Sequence, residues 1–172
     1  FARDGVITLA TGENSLFSAA IDSSGATDSA YFGTSTSPGR VIKVNLNTFA
    51  RDSALVMNSD EPHLYSAVMD PTAGFAYFGT YQTVPGKIIK VRTSDMTRIG
   101  AISYGGGGQD RFGAGVIDST GTYAYYGTDT KPAKVAKVRL SDQVVVAEAT
   151  MQTGEDGIVS AVLDESAGFA YF

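Results

Sequence analysis

The sequence predicts an all-β protein built from a repeated four-stranded antiparallel unit, and three observations support this prediction. A motif of the form Ala-Tyr-Phe/Tyr-Gly-Thr recurs at a near-constant interval, so that Tyr31, Tyr77 and Tyr125 stand 46 and 48 residues apart. Short runs of β-branched and aromatic residues alternate with Gly, Pro, Asp and Ser about every 8–12 residues, which is typical of strands joined by tight turns. No segment combines a 3.6-residue apolar period with helix caps, so we expect almost no helix.

The repeat is visible at several other positions. Copies of the motif occupy 30–34, 76–80 and 124–128, and a fourth begins at 170. Aspartates and lysines keep the same interval: Asp22, Asp70, Asp118 and Asp164, and Lys43, Lys90 and Lys137. A unit of about 47 residues therefore fits about 3.7 times into the 172-residue chain.

Each unit contains four predicted strands, which the second unit shows in order. An apolar run at 64–69 leads to the turn Pro71–Gly74, in which Pro presets φ and Gly accepts a positive φ. The aromatic run 75–80 follows, and after the next turn the run 87–92 alternates between two faces. A Thr-Ser-Asp turn then leads into the fourth run, 98–102.

Four strands repeated in this way predict the blades of a β-propeller, because a sheet with two apolar faces buries both only by stacking between neighbouring sheets. The predicted strands begin with 16–21, 29–34, 40–46, 52–58, 64–69, 75–80 and 87–92. A β-solenoid is the alternative, but its coils are usually shorter and do not need four turns per unit. The predicted division is a single propeller or propeller fragment over 1–172, with a partial unit at 1–14, blades at 15–60, 61–108 and 109–154, and a partial unit at 155–172.

The composition excludes several classes of function. The chain has no Cys, which rules out disulfides, thiolate zinc sites and a thiol nucleophile. Its 13 Lys and Arg against 18 Asp and Glu give a net charge of −5, which argues against nucleic acid because its binders carry a basic face. No apolar run approaches the ~18 residues of a membrane span, so we expect none.

The third unit carries a resemblance to a known family. It contains Asp118-Ser119-Thr120-Gly121, then the aromatic run 123–128, then Val135-Ala136-Lys137-Val138, and the chain has no Trp, which excludes the Trp-marked propeller classes. This order resembles the YVTN/lactonase-like bacterial and archaeal propellers, although the chain has Tyr-Phe-Gly-Thr in place of the namesake tetrapeptide. The resemblance covers all units and implies a propeller that is either a cell-surface protein or a lactonase.

We predict no catalytic, cofactor-binding or metal-binding residue. His63 is the single histidine that Ser/His/Asp catalysis would need, and we expect it to be a surface-loop residue. Gly105–Gly108 is not followed by the helix that a phosphate-binding loop requires, so we interpret it as a connection between units. Each repeated aspartate supplies one carboxylate, which is too few for calcium, and is expected to accept N–H groups of its turn.

The repeated lysines and the polar turns are further candidates. One lysine per unit, on the third strand, would form a positive ring that binds an anion; alternatively, each lysine extends along the surface or pairs with a nearby carboxylate. The turns at 34–38 and 128–132 combine Ser or Thr with Pro and are candidate O-glycan sites if the protein is secreted.

The first and last residues of the chain fall inside repeat units rather than between them. Gly5–Ala10 matches a fourth strand in position, and 159–172 supplies only the first two strands of a last unit. We favour a longer parent protein; the alternatives are closure of a four-bladed ring by the first strand, or strands supplied by a neighbouring copy. We predict that both ends lie against further β-structure, and that copies joined head to tail would form a filament.

We therefore predict a non-enzymatic propeller scaffold or assembly module of an extracellular or cell-surface protein, such as a filament or surface-layer subunit. It needs no cofactor, and its partners are further copies of itself or further repeats of a longer chain. Similar blades suit modular packing and offer no unique catalytic site. The alternatives are a fragment of a lactonase-like enzyme and a lectin-like propeller. A lectin would need exposed aromatics repeated on one rim, and Tyr65 with Phe112 or Tyr81 with Tyr104 do not recur in every unit.

Overall fold

The fold is all-β in a computed structural model that describes residues 5–25, 27–105 and 111–172. Within these ranges no helix forms, and so none is long and apolar enough to cross a membrane. The strands are β1 (Leu16–Asp22), β2 (Ser29–Thr34), β3 (Arg40–Asn45), β4 (Ala50–Val56), β5 (Leu64–Asp70), β6 (Phe75–Thr80), β7 (Gly86–Arg92), β8 (Thr97–Tyr104), β9 (Phe112–Ile117), β10 (Tyr123–Thr128), β11 (Lys134–Arg139), β12 (Val144–Thr150), β13 (Val162–Asp164) and β14 (Phe169–Tyr171).

Successive groups of four strands form antiparallel sheets in chain order. We call β1–β4, β5–β8 and β9–β12 blades 1, 2 and 3, and we call residues 157–172, which contain the two-stranded sheet β13–β14, the open unit. β1 lies against β5, β5 against β9 and β9 against β13, as the innermost strands of propeller blades do. The predicted propeller of four-stranded blades is confirmed, and the predicted strand bounds lie within two residues of the observed ones.

The core lies in the seams between blades, as expected for stacked sheets. The cluster between blades 1 and 2 includes Tyr31, Val41, Leu64, Phe78 and Ile89. The cluster between blades 2 and 3 includes Tyr77, Ile88, Phe112, Tyr126 and Val138. Tyr31 and Tyr77 are 2% and 1% exposed, and in the third unit Tyr126 is fully buried beside the half-buried Tyr125. In each complete blade the motif tyrosine or the aromatic beside it is therefore buried between blades.

The glycine of the repeated motif marks the closest approach of neighbouring blades. A Cβ atom at Gly33 would lie 2.7 Å from Cβ of Leu64, and one at Gly79 would lie 2.6 Å from Cβ of Phe112. Real side chains do not approach so closely, so only glycine fits at this position of the second strand. The motif is therefore a packing requirement of the seam.

The chain ends differ from the prediction in two ways. Residues 5–10 form no strand, so the predicted first strand at Gly5–Ala10 is wrong. The segment still runs along the outer part of blade 1, with Gly5 against the ring of Phe49 and Glu13 ion-paired with Arg51. A fourth strand needs a third strand as its hydrogen-bonding neighbour, and the described residues place none beside this segment. The open unit likewise has no third strand beside β14, and its two strands are only three residues long.

Candidate functional site

The open unit exposes a surface that the complete blades bury. Tyr171 occupies the repeat position of Tyr77, yet Tyr171 is 53% exposed and Tyr77 is 1% exposed. Val162 and Phe169 of the same unit are each 61% exposed. On the opposite side Ile158 is 9% exposed and belongs to a cluster with residues of blade 3. The open unit is therefore packed on one face and bare on the other.

A glutamate before each unit adds a charged element to this surface. Glu13 is ion-paired with Arg51 of β4, and Glu61 is ion-paired with Arg98 of β8. In both pairs the arginine comes from the fourth strand of the blade that the glutamate precedes. Glu155 stands at the same repeat position before the open unit, is exposed, and has no ion pair among the described residues. An arginine to match it would belong to a fourth strand, which the open unit does not contain.

The third unit shows that the two members of this ion pair change together. Val145 stands where Arg51 and Arg98 stand, since all three lie opposite the matching valine of the third strand. The corresponding glutamate position holds Gln109, which lies outside the described residues. Glutamate is thus replaced where arginine is replaced, which indicates that the pair acts as one interaction in the blades that keep it.

Three aromatic rings form a stack across the seam between blades 1 and 2. The rings of Phe17 and Tyr65 are 4.2 Å apart at 11°, and those of Tyr65 and Tyr81 are 4.3 Å apart at 16°. The guanidinium of Arg111 lies 5.1 Å from the Tyr81 ring, and the Tyr81 hydroxyl donates to Asp129. We call Phe17, Tyr65 and Tyr81 the aromatic stack. Its end at Phe17 is 58% exposed.

Sequence reasoning missed the aromatic stack. The available signal was that Phe17 and Tyr65 stand 48 residues apart, at the start of the first strand of successive blades. Tyr81 follows the second strand instead, so a search for one repeated aromatic position does not find it. The structure joins the two positions because the end of the second strand lies beside the start of the first.

At this end of the strands each blade repeats one backbone hydrogen bond between residues that carry different side chains. An N–H after the second strand donates to a carbonyl before the first strand, each at 2.7 Å: Ser35 to Ser15, Tyr81 to His63, and Asp129 to Arg111. The main chain is therefore the same in each blade at this end of the strands, which we call the rim, and only the side chains differ. Repeat scaffolds present different chemistry along one surface in this way.

His63 lies in this rim. Its Nδ1 atom is 3.1 Å from the Ser35 hydroxyl, which is also 3.1 Å from the hydroxyl of Tyr65. The ring meets Tyr65 edge-on at 6.3 Å. A serine hydroxyl beside a histidine can be activated when a carboxylate orients the imidazole. Among the described residues no carboxylate is hydrogen-bonded to His63, and we therefore expect the pair to hold the seam together.

The repeated aspartates accept hydrogen bonds from their own turns. Asp70 accepts the N–H of Ala73 at 3.0 Å, and Asp118 accepts the N–H groups of Thr122 and Tyr123 at 2.8 and 2.9 Å. This is the expected role for a single carboxylate at a tight turn. In the described part of the chain no three His, Cys, Asp or Glu residues are grouped so as to hold a metal ion.

The three repeated lysines each contact residues of their own blade. Lys43 is ion-paired with Asp52 at 3.4 Å. Lys90 lies 4.0 Å from the centre of the Phe75 ring, and Lys137 lies 4.0 Å from that of Tyr123. Lys90 and Lys137 thus have equivalent aromatic neighbours, whereas Lys43 has a carboxylate.

In the candidate glycan turns, two of the threonine hydroxyls are buried and make hydrogen bonds. Thr34 and Thr128 are fully buried, and their hydroxyls accept the N–H groups of Arg40 and Lys134 at 2.9 Å. Ser37 is exposed in the first of these turns, so O-glycosylation stays a prediction for that residue. Of the glycine run, residues 106–108 lie outside the described residues.

Solved structures match the fold of the chain. U3-55K matches with a TM-score of 0.69 at 8% identity, covering 89% of this chain and 44% of that chain. The WD40 repeats of RRP9 match at 0.68 and 9%, covering 89% and 43%. Hydrazine synthase of Kuenenia stuttgartiensis matches at 0.67 and 14%, covering 78% and 37%. The chain thus spans less than half the length of each, and the likeness shows the fold alone. No protein-family model and no curated protein sequence matches the chain.

Proposed function

We propose that the chain is a non-enzymatic scaffold and assembly module of a β-propeller protein, in which a further blade of the same repeat packs on the open unit. One observation carries the proposal: a single repeat position is 1% exposed at Tyr77 and 53% exposed at Tyr171. Removing apolar surface from water contributes about 25 cal/mol per Å². A contiguous apolar face left exposed is typical of an interaction site.

The unpaired Glu155 specifies the partner further. In blades 1 and 2 the equivalent glutamate receives an arginine from the fourth strand. Third and fourth strands that complete the open unit and carry an arginine at the position of Arg51 and Arg98 would supply the charge, and the next blade of the repeat would cover the apolar face. We infer that the partner is built from the same repeat.

Two sources would present the same blade surface. One is a longer parent chain that continues the array, and the other is a second copy that joins head to tail as a filament or surface-layer subunit. Only the second source makes the mass of the assembled particle depend on protein concentration, so a dilution series distinguishes them.

We further propose that the assembly is extracellular or at the cell surface, within a YVTN/lactonase-like protein. The resemblance in the third unit supports this location, as does a charged fraction of only 18%, which suits a tightly packed array. Labelling of intact producing cells with a membrane-impermeant amine reagent tests it. Labelling in intact cells supports the proposal, and labelling only after lysis contradicts it.

One observation favours an enzymatic alternative, because the Ser35 hydroxyl lies within hydrogen-bond distance of His63. The lactonases of the resembling group and the enzyme among the structural matches are consistent with it. We expect no turnover of p-nitrophenyl acetate or of γ-lactones beyond that of a His63→Ala variant. Turnover that requires both Ser35 and His63 would establish the alternative.

Light scattering during size-exclusion chromatography tests the assembly proposal with a matched pair of variants. Tyr171→Ser removes an exposed aromatic of the open unit, and Val84→Ser removes an apolar side chain, 62% exposed, that lies elsewhere. We expect the wild-type protein and V84S to associate, and Y171S to do so at least several-fold more weakly. Equal association of all three would contradict the proposal, and a wild-type protein that stays monomeric at every concentration would exclude a second copy as the source of the further blade.

A further inference from the structure

A cavity of about 390 Å³ lies in the seam between blades 2 and 3, within the size range of small-ligand sites. Blade 2 contributes Phe75, Tyr77 and Lys90 to its walls. The turns of blade 3 close it with Thr120–Thr122 and with Leu140. We call this cavity the Lys90 pocket. It lies at the opposite ends of the strands from the aromatic stack.

The ammonium of Lys90 has aromatic neighbours but no ion pair in the described part of the chain. It lies 4.0 Å from the centre of the Phe75 ring and 5.5 Å from that of Tyr77. Ring faces attract a cation but do not neutralise it. Burial lowers the pKa of Lys90, and the charge of Asp70 opposes this effect only in part.

Blade 1 contains an equivalent pocket with different residues beside the lysine. A cavity of about 390 Å³ between blades 1 and 2 is lined by Tyr31, Lys43 and Asp52, at the repeat positions of Tyr77, Lys90 and Ile99, and Ser29 stands where blade 2 has Phe75. Lys43 is ion-paired with Asp52 at 3.4 Å. The second unit therefore keeps the lysine and has isoleucine in place of its acidic partner, so the fourth strand supplies no carboxylate to Lys90.

We propose that the Lys90 pocket binds a small monocarboxylate, whose carboxylate group pairs with the Lys90 ammonium as Asp52 pairs with Lys43. Asp70 lies in the pocket wall and is 4% exposed, so its charge favours a monoanion over a dianion.

Titration with sodium acetate, followed by amide chemical shifts at constant ionic strength in sodium chloride, tests the proposal. We expect saturable shifts at Lys90 and at residues 120–122. Lys90→Met should weaken binding at least tenfold, and Lys90→Arg, which keeps the charge, should weaken it less. Lys43→Met is the matched control and should leave acetate binding unchanged.

A second variant, which creates an acetate site at Lys43, tests the proposal even if Lys90→Met folds poorly. Asp52→Asn removes the partner of Lys43, and Asp52 is 49% exposed in its side chain, so the blade should fold normally. We expect this variant to show a second set of saturable acetate shifts, around Lys43. Shifts that do not saturate, an equal loss in K43M, or equal binding of phosphate would overturn the proposal. None of these outcomes depends on whether the chain assembles.

Discussion

The same repeat position is buried in the seam between blades 2 and 3 and exposed on the bare face of the open unit. In the seam Tyr77 is 1% exposed and belongs to a cluster with Phe112 and Tyr126. On the open unit Tyr171 holds the same position at 53% exposure. The difference teaches that a blade does not bury its own apolar residues. Its neighbour does so, and stability therefore resides in the contacts between units.

The largest expected effect comes from removing the buried tyrosine. Tyr77→Ala should lower the free energy of unfolding by about 3–5 kcal/mol, because a large aromatic side chain leaves a cavity in a packed seam. Tyr171→Ala should change the stability of the monomer by less than about 0.5 kcal/mol, as surface substitutions do. Denaturant unfolding of both variants measures the contrast. Similar losses in the two would contradict the claim that burial by the neighbouring blade stabilises this position.

The glutamate–arginine pair gives the second contrast. Glu61→Gln should cost about 3 kcal/mol, because it leaves Arg98, whose side chain is only 25% exposed, beside a fully buried group without a counter-charge. Adding Arg98→Val should recover much of the loss, since the third unit carries Gln109 and Val145 at these positions. Glu155→Gln is the control and should be near neutral in the monomer. Thermal and denaturant unfolding of the wild-type protein, E61Q, R98V and the double variant forms the cycle, and strict additivity would contradict the coupling.

The complete blades should also lose stability in acid. The hydrogen bond from Arg51 lowers the pKa of Glu13 from its ordinary 4.5, and the hydrogen bonds from Tyr104 and Lys134 lower that of Glu148. A depressed pKa in the folded state adds stability above about pH 4.5, and this is lost as pH falls through the lowered values. We expect the free energy of unfolding to fall below pH 4.5, and to fall less in Glu148→Gln. A flat profile would contradict these shifts.

The smallest effect concerns the aromatic stack. Tyr81→Phe keeps the ring against Tyr65 and removes the hydroxyl that donates to Asp129. The expected loss is about 0.5–1.5 kcal/mol, the net value of one hydrogen bond. Tyr65→Phe, which keeps the stack and removes the contact with Ser35, is the comparison variant. A loss above about 3 kcal/mol in either would mean that the hydroxyls contribute more than the stacking arrangement suggests.

The architecture could be predicted from sequence because the repeat constrains it many times over. The motif tyrosines Tyr31 and Tyr77, each followed two residues later by a glycine, show where each seam lies. The turn residues show where each strand ends. Gly5–Ala10 was misassigned because its residues suit a strand, whereas strand formation depends on a neighbour that the described residues do not supply. Local composition cannot report that dependence.

The candidate sites could be predicted only in part. Lys90 was identified as a repeated lysine, but its unpaired state depends on Ile99, which lies on another strand. The aromatic stack joins Tyr65 to Phe17 and Tyr81, at two different repeat positions from two blades. Such contacts arise from the packing of neighbouring blades, and a one-dimensional comparison of repeats does not contain them.

The most direct test of the account is to complete the open unit with the chain's own repeat. Because Phe172 matches Phe78, a copy of residues 79–104 appended after Phe172 supplies the missing third and fourth strands, together with the equivalent of Arg98. Hydrogen exchange then reports on the amides of β13 and β14. The account predicts at least tenfold slower exchange at Val162–Asp164 and Phe169–Tyr171, with a smaller gain when the copy's equivalent of Arg98 is changed to Met. Unchanged exchange in a folded, extended protein would contradict the claim that further strands of the same repeat complete the open unit.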